Sequence, residues 1–292
     1  MHWRSQPGVV AFSTIAEFSV SGKISGAYAF RMRVRLETPH VTLFQRKPRI
    51  AARPRLDIDM QDAVVYAIGD VHGCYKELRA LEQNILLDSL RFQSRKIIVM
   101  LGDYIDRGLQ SARVLDHLLA PAPKGFQRIC LAGNHEVAML NYLDGHLSRE
   151  PWLATGGLQT LFSYGIDPAR LTSLYGSSAQ IDRRIREIIP EDHVSFLRGL
   201  PIMVRSRKFV FVHAGIRPGV DLAAQTDHDL ITIRSDFFEA THLLDRWVVH
   251  GHTPVDVPKL EGRRLGIDTA AFQSGRLTAV RIADKQGRLI FS

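Results

Sequence analysis

The stretch VVYAIGD (64–70) is a continuous apolar run that ends in Gly-Asp, and the helical pattern YKELRALEQNILL (75–87) follows it. The same arrangement occurs twice more, as KIIVMLGD (96–103) with SARVLDHLLA (111–120) and as RICLAGNH (128–135) with EVAMLNYL (136–143). Short apolar runs indicate strands that are buried on both faces, and helices between them are typical of parallel pairing. The repeated unit therefore predicts an α/β fold.

The remaining chain completes this domain with helices and further strands. Residues 145–200 are mostly helical in pattern, which predicts a helical insertion after the third strand. Strands return in PIMVRSRKFVFVHAG (201–215) and RWVVHGHTP (246–254). In the last segment, 265–292, turns at Ser274-Gly275 and Gln286-Gly287 separate β-like runs, which predicts consecutive hairpins.

The basic charge of the protein lies in its N-terminal segment. The formal net charge is +8. Residues 1–55 contain ten Lys and Arg residues, and their only acidic residues are Glu17 and Glu37. We therefore predict a basic, disordered N-terminal extension over residues 1–60 and a folded domain over 61–292. A functional anchor for a membrane or nucleic acid is the alternative for the extension. No nucleic-acid partner is expected for the folded domain, because its charges balance.

The composition indicates in which cellular compartment the protein is expected. The hydrophobic fraction of 45% and the charged fraction of 23% are typical of a soluble globular protein. No apolar run approaches the roughly 18 residues that a membrane span needs, so no transmembrane segment is expected. Cys74 and Cys130, the only cysteines, provide no disulfide framework and favour a cytoplasmic location. The oligomeric state is left open.

Polar residues gather where the predicted strands end. They are Asp70 and His72, then Asp103, Asp106 and Arg107, then Asn134 and His135, and finally His213 and His252. Ligands bind at the carboxyl ends of strands in open α/β sheets, so these five segments are expected to face one crevice. Each residue alone has an ordinary explanation, as a turn former, a buried histidine or a surface arginine. Their recurrence at five strand ends favours a functional site.

The residue types suit divalent cations. Carboxylates, imidazoles and amide oxygens bind ions such as Mn, Fe or Zn. The candidate ligands are Asp70, His72, Asp103, Asn134, His213 and His252. They are enough for two ions if Asp103 bridges them, and two ions roughly 3.5–4 Å apart activate water for displacement at phosphorus. His135 could then protonate the leaving oxygen as general acid, with Asp106 orienting its ring.

Five motifs in order resemble a known family. They are GDVHG (69–73), GDYIDRG (102–108), GNHE (133–136), HAG (213–215) and HGHTP (250–254). Together they resemble the signature of the phosphoprotein phosphatases, the serine/threonine-type branch of the calcineurin-like metallophosphoesterases. The stretches HAGIRPG, IRSDFF and GIDTAA are similar to those of its bacterial members.

This resemblance implies a four-layer sandwich of two central mixed β-sheets flanked by helices, together with a dinuclear site. The implied ligands are Asp70, His72 and Asp103 for the first ion, and Asp103, Asn134, His213 and His252 for the second. It also implies His135 as proton donor with Asp106 behind it, and Arg107 and Arg234 as phosphate binders. Manganese is the expected ion, with iron and zinc as the alternative.

The substrate prediction depends on two motif details. Asp106 in DRG together with Glu136 in GNHE favours a serine/threonine protein phosphatase that acts on a phosphorylated protein or peptide. The alternative is a dinucleoside tetraphosphate hydrolase, since that group shares the same metal frame. Its members tend to vary the Asp106 position and to carry GNHD, which weighs against this alternative here. A non-catalytic metal-binding scaffold is a third possibility, disfavoured because every ligand position is filled.

The helical insertion is the predicted source of specificity. Insertions after strands commonly build the mouth of such sites. Trp152, Tyr164 and Tyr175 are the candidate residues of a substrate groove. The alternative is that these aromatic side chains pack the insertion itself.

Overall fold

The structure is a computed structural model that describes residues 52–283 and 286–292. Its strands are β1 (Arg55–Asp57), β2 (Ala63–Ile68), β3 (Arg95–Met100), β4 (Phe126–Cys130), β5 (Met203–Arg205), β6 (Phe209–Val212), β7 (Trp247–His250), β8 (Lys259–Glu261), β9 (Arg264–Gly266), β10 (Thr278–Ala283) and β11 (Gln286–Phe291). Its α-helices are α1 (Tyr75–Ser89), α2 (Ser111–Leu119), α3 (Asn134–Leu143), α4 (Arg149–Trp152), α5 (Leu158–Ser163), α6 (Pro168–Leu174), α7 (Ser178–Ile188), α8 (Glu191–Gly199), α9 (Asp227–Thr232), α10 (Ser235–Glu239) and α11 (Ala271–Ser274). A π-helical turn, Leu153–Gly157, lies between α4 and α5, and a 3-10 turn, Thr241–Leu243, follows α10.

The strands form two mixed sheets. One has the order β11-β10-β2-β3-β4, and the other has the order β1-β5-β6-β7-β9-β8. In the first sheet β2, β3 and β4 are parallel, and in the second β6, β7 and β9 are parallel. These two parallel groups include all five strands whose ends carry the predicted polar residues.

The alternation of side chains along β2 explains the layered arrangement. Val65 and Ala67 pack into a core cluster that includes Phe211 of the other sheet, whereas Tyr66 and Ile68 join the core on the helix side. All four are fully buried, because successive side chains of a strand point to opposite faces and both faces are covered. The predicted fold, two mixed sheets flanked by helices, is confirmed.

The folded domain includes residues that were assigned to the extension. Strand β1 pairs in parallel with β5, with Arg55 opposite Met203. Arg53 Nη1 donates hydrogen bonds to the carbonyl oxygens of Leu197 (3.0 Å) and Leu200 (2.9 Å), and so satisfies acceptors at the C-terminal end of α8. Residues 53–57 are therefore part of the sheet domain and not of a linker. The extension predicted before them lies in residues 1–51, outside the described residues.

The predicted helical segment 145–200 contains α4 to α8, and the C-terminal segment differs from the prediction. Strands β10 and β11 form one hairpin in which Ala283 lies opposite Gln286. Gln286-Gly287 is thus inside a strand, and Gly275 ends α11 with a φ of 66° rather than turning a hairpin. The prediction of consecutive hairpins was wrong, because β9 and β10 belong to different sheets and do not pair with each other. Among the described residues, no helix has the length and apolar character needed to cross a membrane.

Candidate metal centre

The loops after five strands bring the predicted polar residues together. Asp70 and His72 follow β2, Asp103, Asp106 and Arg107 follow β3, Asn134 and His135 follow β4, His213 follows β6, and His252 follows β7. The aspartates, His72, His135 and His213 are buried, whereas Asn134, Arg107 and His252 are partly exposed. The crevice thus has a buried floor of carboxylates and imidazoles beneath a more open rim.

Asp103 is the centre of this floor. Its Oδ2 lies 3.4 Å from Nε2 of His213, 3.5 Å from Nε2 of His72 and 3.8 Å from Nε2 of His135. Its Oδ1 accepts the backbone N–H of His135 at 3.1 Å, which fixes the carboxylate plane. One carboxylate oxygen therefore faces three ring nitrogens from three different loops.

The protonation of two of these rings follows from their outer hydrogen bonds. Nδ1 of His72 lies 2.9 Å from the carbonyl oxygen of Ile105, and Nδ1 of His213 lies 2.9 Å from that of Leu101. A carbonyl only accepts, so each Nδ1 carries the proton and each neutral ring has its lone pair on Nε2. Burial lowers the pKa of His72 to about 3 and also lowers that of His213, which keeps both rings neutral.

These lone pairs face the Asp103 carboxylate with no proton between them. Acceptor atoms at such distances repel one another in a buried site unless a cation lies among them. His72 Nε2 is also buried without a hydrogen-bond partner among the residues that the structure describes. The donor set therefore fits divalent cations, and backbone carbonyls behind the rings orient them as the partners of metal-binding histidines do.

Asp70 adds a second free carboxylate atom beside this group. Its Oδ2 accepts the backbone N–H of His252 at 3.0 Å, and its buried Oδ1 has no hydrogen-bond partner within the described ranges. A Cβ placed on Gly251 would lie 1.8 Å from this Oδ1, so only glycine permits the close approach of the two loops. Asn134 Oδ1 lies 3.0 Å from Nε2 of His213, which adds an amide oxygen to the same cluster.

Among the residues that the structure describes, two compact groups of possible ligand atoms have all members within 4.8 Å of one another. One consists of Asp103, His213 and His252, which belong to the set predicted for the second ion. The other consists of His72, Asp103 and His135, where the prediction has Asp70 in place of His135. His135 Nδ1 is already engaged with Asp106 Oδ2 at 2.7 Å, whereas Asp70 has a free oxygen, so the assignment of Asp70 stays a prediction.

Charge in the site is divided between Asp103 and His135. Burial opposes ionisation of Asp103, yet its pKa lies below the usual range because positive charge among the neighbouring imidazoles, which His135 is best placed to carry, and the backbone N–H of His135 favour the carboxylate. Burial also opposes protonation of His135, yet the carboxylates of Asp103 and Asp106 raise its pKa above the ordinary value. His135 is therefore the ring best suited to carry a proton, as a general acid requires.

The two predicted phosphate-binding arginines are arranged differently. The Arg107 guanidinium lies 4.9 Å from the centroid of the Phe272 ring, which restrains it beside His72 by cation–π stacking. Arg234 is exposed at the start of α10. Burial lowers the pKa of His252 to about 3, and the charges of His213 and Arg234 act in the same direction.

Left-handed backbone is concentrated at the site. Seven non-glycine residues of the described chain have positive φ angles, and five of them are predicted site residues: His72 (45°), Asp103 (51°), Asp106 (69°), Arg107 (66°) and His252 (65°). Each such residue costs of order 1 kcal/mol, so the surrounding packing must enforce these conformations. This concentration of strain is typical of loops whose side chains are aimed for function.

Asp268 belongs to the site but was not predicted as a site residue. It is buried, its Oδ2 has no hydrogen-bond partner among the residues described, and burial together with the charge of Asp103 raises its pKa to about 6. It follows β9, which is parallel to β7. The same strand-end rule that selected Asp70 could have selected Asp268, but β9 has only three residues and leaves a weak sequence pattern.

The predicted substrate groove is not formed by Trp152. This side chain is fully buried, stacks on Tyr142 at a centroid distance of 5.1 Å, and donates its indole N–H to Asp106. Tyr164 and Tyr175 pack partly buried against the core, and the Tyr164 hydroxyl lies 2.7 Å from His193 Nδ1. The alternative interpretation, that these aromatics pack the insertion, agrees with the structure.

The two sheets and the Asp/His cluster at their strand ends are those of a metal-dependent phosphoesterase. The sequence profile of the calcineurin-like phosphoesterase family matches residues 63–268, and the chain belongs to this family. Calcineurin-like phosphoesterases use divalent metal ions, in agreement with the two Asp/His groups described above. A solved structure of a candidate diadenosine tetraphosphatase has the same fold, with a TM-score of 0.55 and 19% identity over 82% of this chain and 98% of its own.

Relatives in sequence bear on the substrate. The asymmetrical bis(5'-nucleosyl)-tetraphosphatase PrpE of Geobacillus thermodenitrificans is 28% identical over 73% of this chain and 88% of its own. The protein of the same name from Halalkalibacterium halodurans is 29% identical over 74% of this chain and 89% of its own. These names contradict the predicted phosphorylated protein or peptide substrate. One residue of the motif criterion, Glu136 of GNHE, is buried and accepts hydrogen bonds from backbone N–H groups, so its role in the structure is to hold loops.

Proposed function

We propose that this protein is a metal-dependent hydrolase of dinucleoside tetraphosphates that cleaves them asymmetrically, into a nucleoside triphosphate and a nucleoside monophosphate. The metal-dependent hydrolysis is supported above all by one observation, the buried Asp103 carboxylate that faces the lone pairs of His72 and His213. The choice of substrate is supported by the tetraphosphatases that match the folded domain along most of their own length.

The proposed ligands follow from the loops that converge on Asp103. Asp70, His72 and Asp103 would hold one divalent cation, and Asp103, Asn134, His213 and His252 would hold a second. Manganese is the first ion to test, with iron and zinc next, because all three accept mixed oxygen and imidazole ligands. When bound, the cations supply Lewis acidity, which polarises the phosphoryl group and lowers the pKa of water.

The remaining side chains bind the phosphate chain and move a proton. Arg107 and Arg234 carry positive charge at the site and its rim, where they would contact phosphate oxygens and balance charge that develops during displacement. His135 holds Nδ1 against Asp106 and so presents Nε2 to the cleft, where it would protonate the leaving oxygen. In this assignment the leaving group is a nucleoside triphosphate, and the proton from His135 would balance the charge that develops on its terminal phosphate oxygen.

Product analysis on the purified full chain tests the proposal. With Mn²⁺ present, diadenosine tetraphosphate is expected to yield ATP and AMP in equal amounts, resolved by ion-exchange chromatography. The His135→Asn variant is expected to lose most turnover while it retains its metal content. Two molecules of ADP as product would contradict asymmetric cleavage.

A competing substrate gives the proposal a second test. The same preparation is assayed on diadenosine tetraphosphate and on phosphoserine and phosphothreonine peptides, and kcat/KM is compared. We expect the dinucleotide to be preferred by at least tenfold. A preference for the phosphopeptides would overturn the substrate assignment but leave the metal-dependent chemistry in place.

A further inference from the structure

The carboxylate of Asp106 is surrounded by donors other than His135. It is completely buried, and its Oδ2 accepts from Nδ1 of His135 at 2.7 Å and from the indole Nε1 of Trp152 at 3.1 Å. Its Oδ1 accepts from the hydroxyl of Thr160 at 2.7 Å and lies 3.3 Å from the same indole nitrogen. Three donors from outside its own loop therefore hold this side chain in one orientation.

The donor role of Thr160 can be assigned from its neighbours. The Thr160 oxygen accepts the backbone N–H of Asp106 at 2.8 Å and also lies 3.1 Å from the hydroxyl of Ser111. A hydroxyl has a single proton, and the charged carboxylate is both the nearer and the stronger acceptor. Thr160 therefore donates to Asp106, and Ser111 donates to Thr160.

Trp152 and Thr160 both belong to the helical insertion. Two glycines of this insertion, Gly156 and Gly157, allow it to pack closely against the loop after β3. A Cβ on Gly157 would lie 2.5 Å from the Trp152 ring, and one on Gly156 would lie 2.7 Å from the backbone nitrogen of Arg107. Gly156 has a φ of 115°, and its carbonyl accepts the Arg107 N–H at 3.1 Å. The insertion thus packs directly behind the residues that face the cleft.

We infer that Trp152 and Thr160 are positioning residues for proton donation by His135. Their hydrogen bonds fix the Asp106 carboxylate, which in turn fixes the ring of His135 with Nε2 toward the cleft. The insertion therefore acts on catalysis from behind the active site and not as a wall of a substrate groove. This inference rests on the phosphoester chemistry of the proposed function but not on the dinucleotide as substrate.

Matched substitutions separate this role from a structural one. Thr160→Val removes the donor at nearly constant volume, and Thr160→Ser keeps the donor. Trp152→Phe removes the indole N–H but keeps an aromatic ring against Tyr142. Each variant, with wild type and His135→Asn, is assayed with Mn²⁺ on p-nitrophenyl phosphate and on phenyl phosphate, whose leaving group is more basic.

The expected result is a loss that depends on the leaving group. Thr160→Val and Trp152→Phe should lower kcat on phenyl phosphate about tenfold, lower it clearly less on p-nitrophenyl phosphate, and change KM less than twofold. Thr160→Ser should stay within twofold of wild type. Adding Thr160→Val to His135→Asn should cause no further loss, because the residue acts through that ring.

Three outcomes would overturn the inference. They are equal losses on both aryl phosphates, a loss that persists in the His135→Asn background, and wild-type kcat in both donor-deleted variants. Melting temperature and metal content are measured for every variant, and Trp152→Phe remains informative if Thr160→Val does not fold. Failure of diadenosine tetraphosphate hydrolysis with normal aryl phosphate results would refute the proposed substrate alone.

Discussion

The Glu136 side chain accepts a hydrogen bond from the backbone N–H of Asp103 and so fixes the loop that follows β3. Its Oε2 accepts the N–H of Asp103 at 2.9 Å and that of Gly133 at 2.8 Å, and its Oε1 accepts the N–H of Tyr104 at 2.7 Å. The carboxylate is fully buried, so it bonds two loops together from beneath the site. The glutamate of GNHE is therefore a structural link between the segments that follow β3 and β4.

Replacing this carboxylate should weaken the fold without changing substrate preference. In Glu136→Gln the amide nitrogen must face a backbone donor, and a buried donor left without an acceptor costs about 1–3 kcal/mol. We expect the free energy of unfolding to fall by that amount in urea titrations, while the ratio of kcat/KM on dinucleotide and aryl phosphate stays constant. Glu239→Gln, at an exposed position of α10, is the control and should behave as wild type.

Metal binding should stabilise the protein through Asp103. Mn²⁺ at a hundredfold excess over its dissociation constant adds about 2.7 kcal/mol to the free energy of unfolding if it binds only the folded state. Chelation should remove this increment, and Asp103→Asn should abolish most of it. Asp245→Asn, whose side chain is 80% exposed, should retain the full increment. A metal-dependent shift that survives in Asp103→Asn would place the ions elsewhere.

Acid stability should depend on His250. Burial, together with Arg264, lowers the pKa of this ring from 6.5 to about 4. Between these values the unfolded chain binds the proton first, so this contribution is complete above pH 6.5 and is lost as pH falls. From pH 7.5 to pH 5 the loss amounts to roughly 2 kcal/mol. Urea titrations of the chelated protein should show that His250→Asn lacks this part of the decline. Parallel pH curves for the two proteins would contradict the prediction.

Two glycines with positive φ angles provide a matched test of how closely the insertion packs. Gly156 (φ 115°) has no room for a Cβ beside Arg107, whereas Gly165 (φ 73°) has open space around it. Alanine strains the backbone at both positions. Gly156→Ala alone should also displace the Arg107 loop, so it should lower kcat/KM about tenfold. Gly165→Ala should destabilise by about 1 kcal/mol and leave kcat/KM within twofold. Equal activity in the two variants would show that the contact is unimportant.

Much of the architecture could be predicted from local pattern. The apolar segments 64–68 of β2 and 97–100 of β3 are buried because both of their faces are covered, and the helix after each strand crosses over to a parallel neighbour. Parallel strands end at the same edge of a sheet, so residues such as Asp70, Asp103 and His135 could be expected to meet. The predicted N-terminal boundary of the domain was too late, because the basic segment 46–55 was interpreted as a linker. Arg53 and Arg55 in fact donate hydrogen bonds to carbonyl oxygens and to Asp227 inside the domain.

Other features depend on contacts between distant segments. Trp152 looked like a residue of a groove, because an aromatic residue in an insertion has no periodic signal that reveals its partner 46 positions away. Glu136 looked like a mark of substrate class, although its partners are backbone groups, which any sequence supplies. The names of the relatives, and not the motif, contradict a phosphoprotein substrate.

The sequence by itself determined which side chains stand at the ends of parallel strands, because hydrophobic periodicity sets strand position and chain direction sets the edge. Only the tertiary structure decided which atoms of those side chains carry protons or hydrogen bonds and which are left to bind a cation. The backbone carbonyls of Ile105 and Leu101 place the protons of His72 and His213 on Nδ1. The insertion supplies a further hydrogen-bond donor to the Asp106 carboxylate. Such assignments depend on distances of 3 Å between residues that are far apart in the chain, and a hydrogen bond of that kind leaves no local pattern.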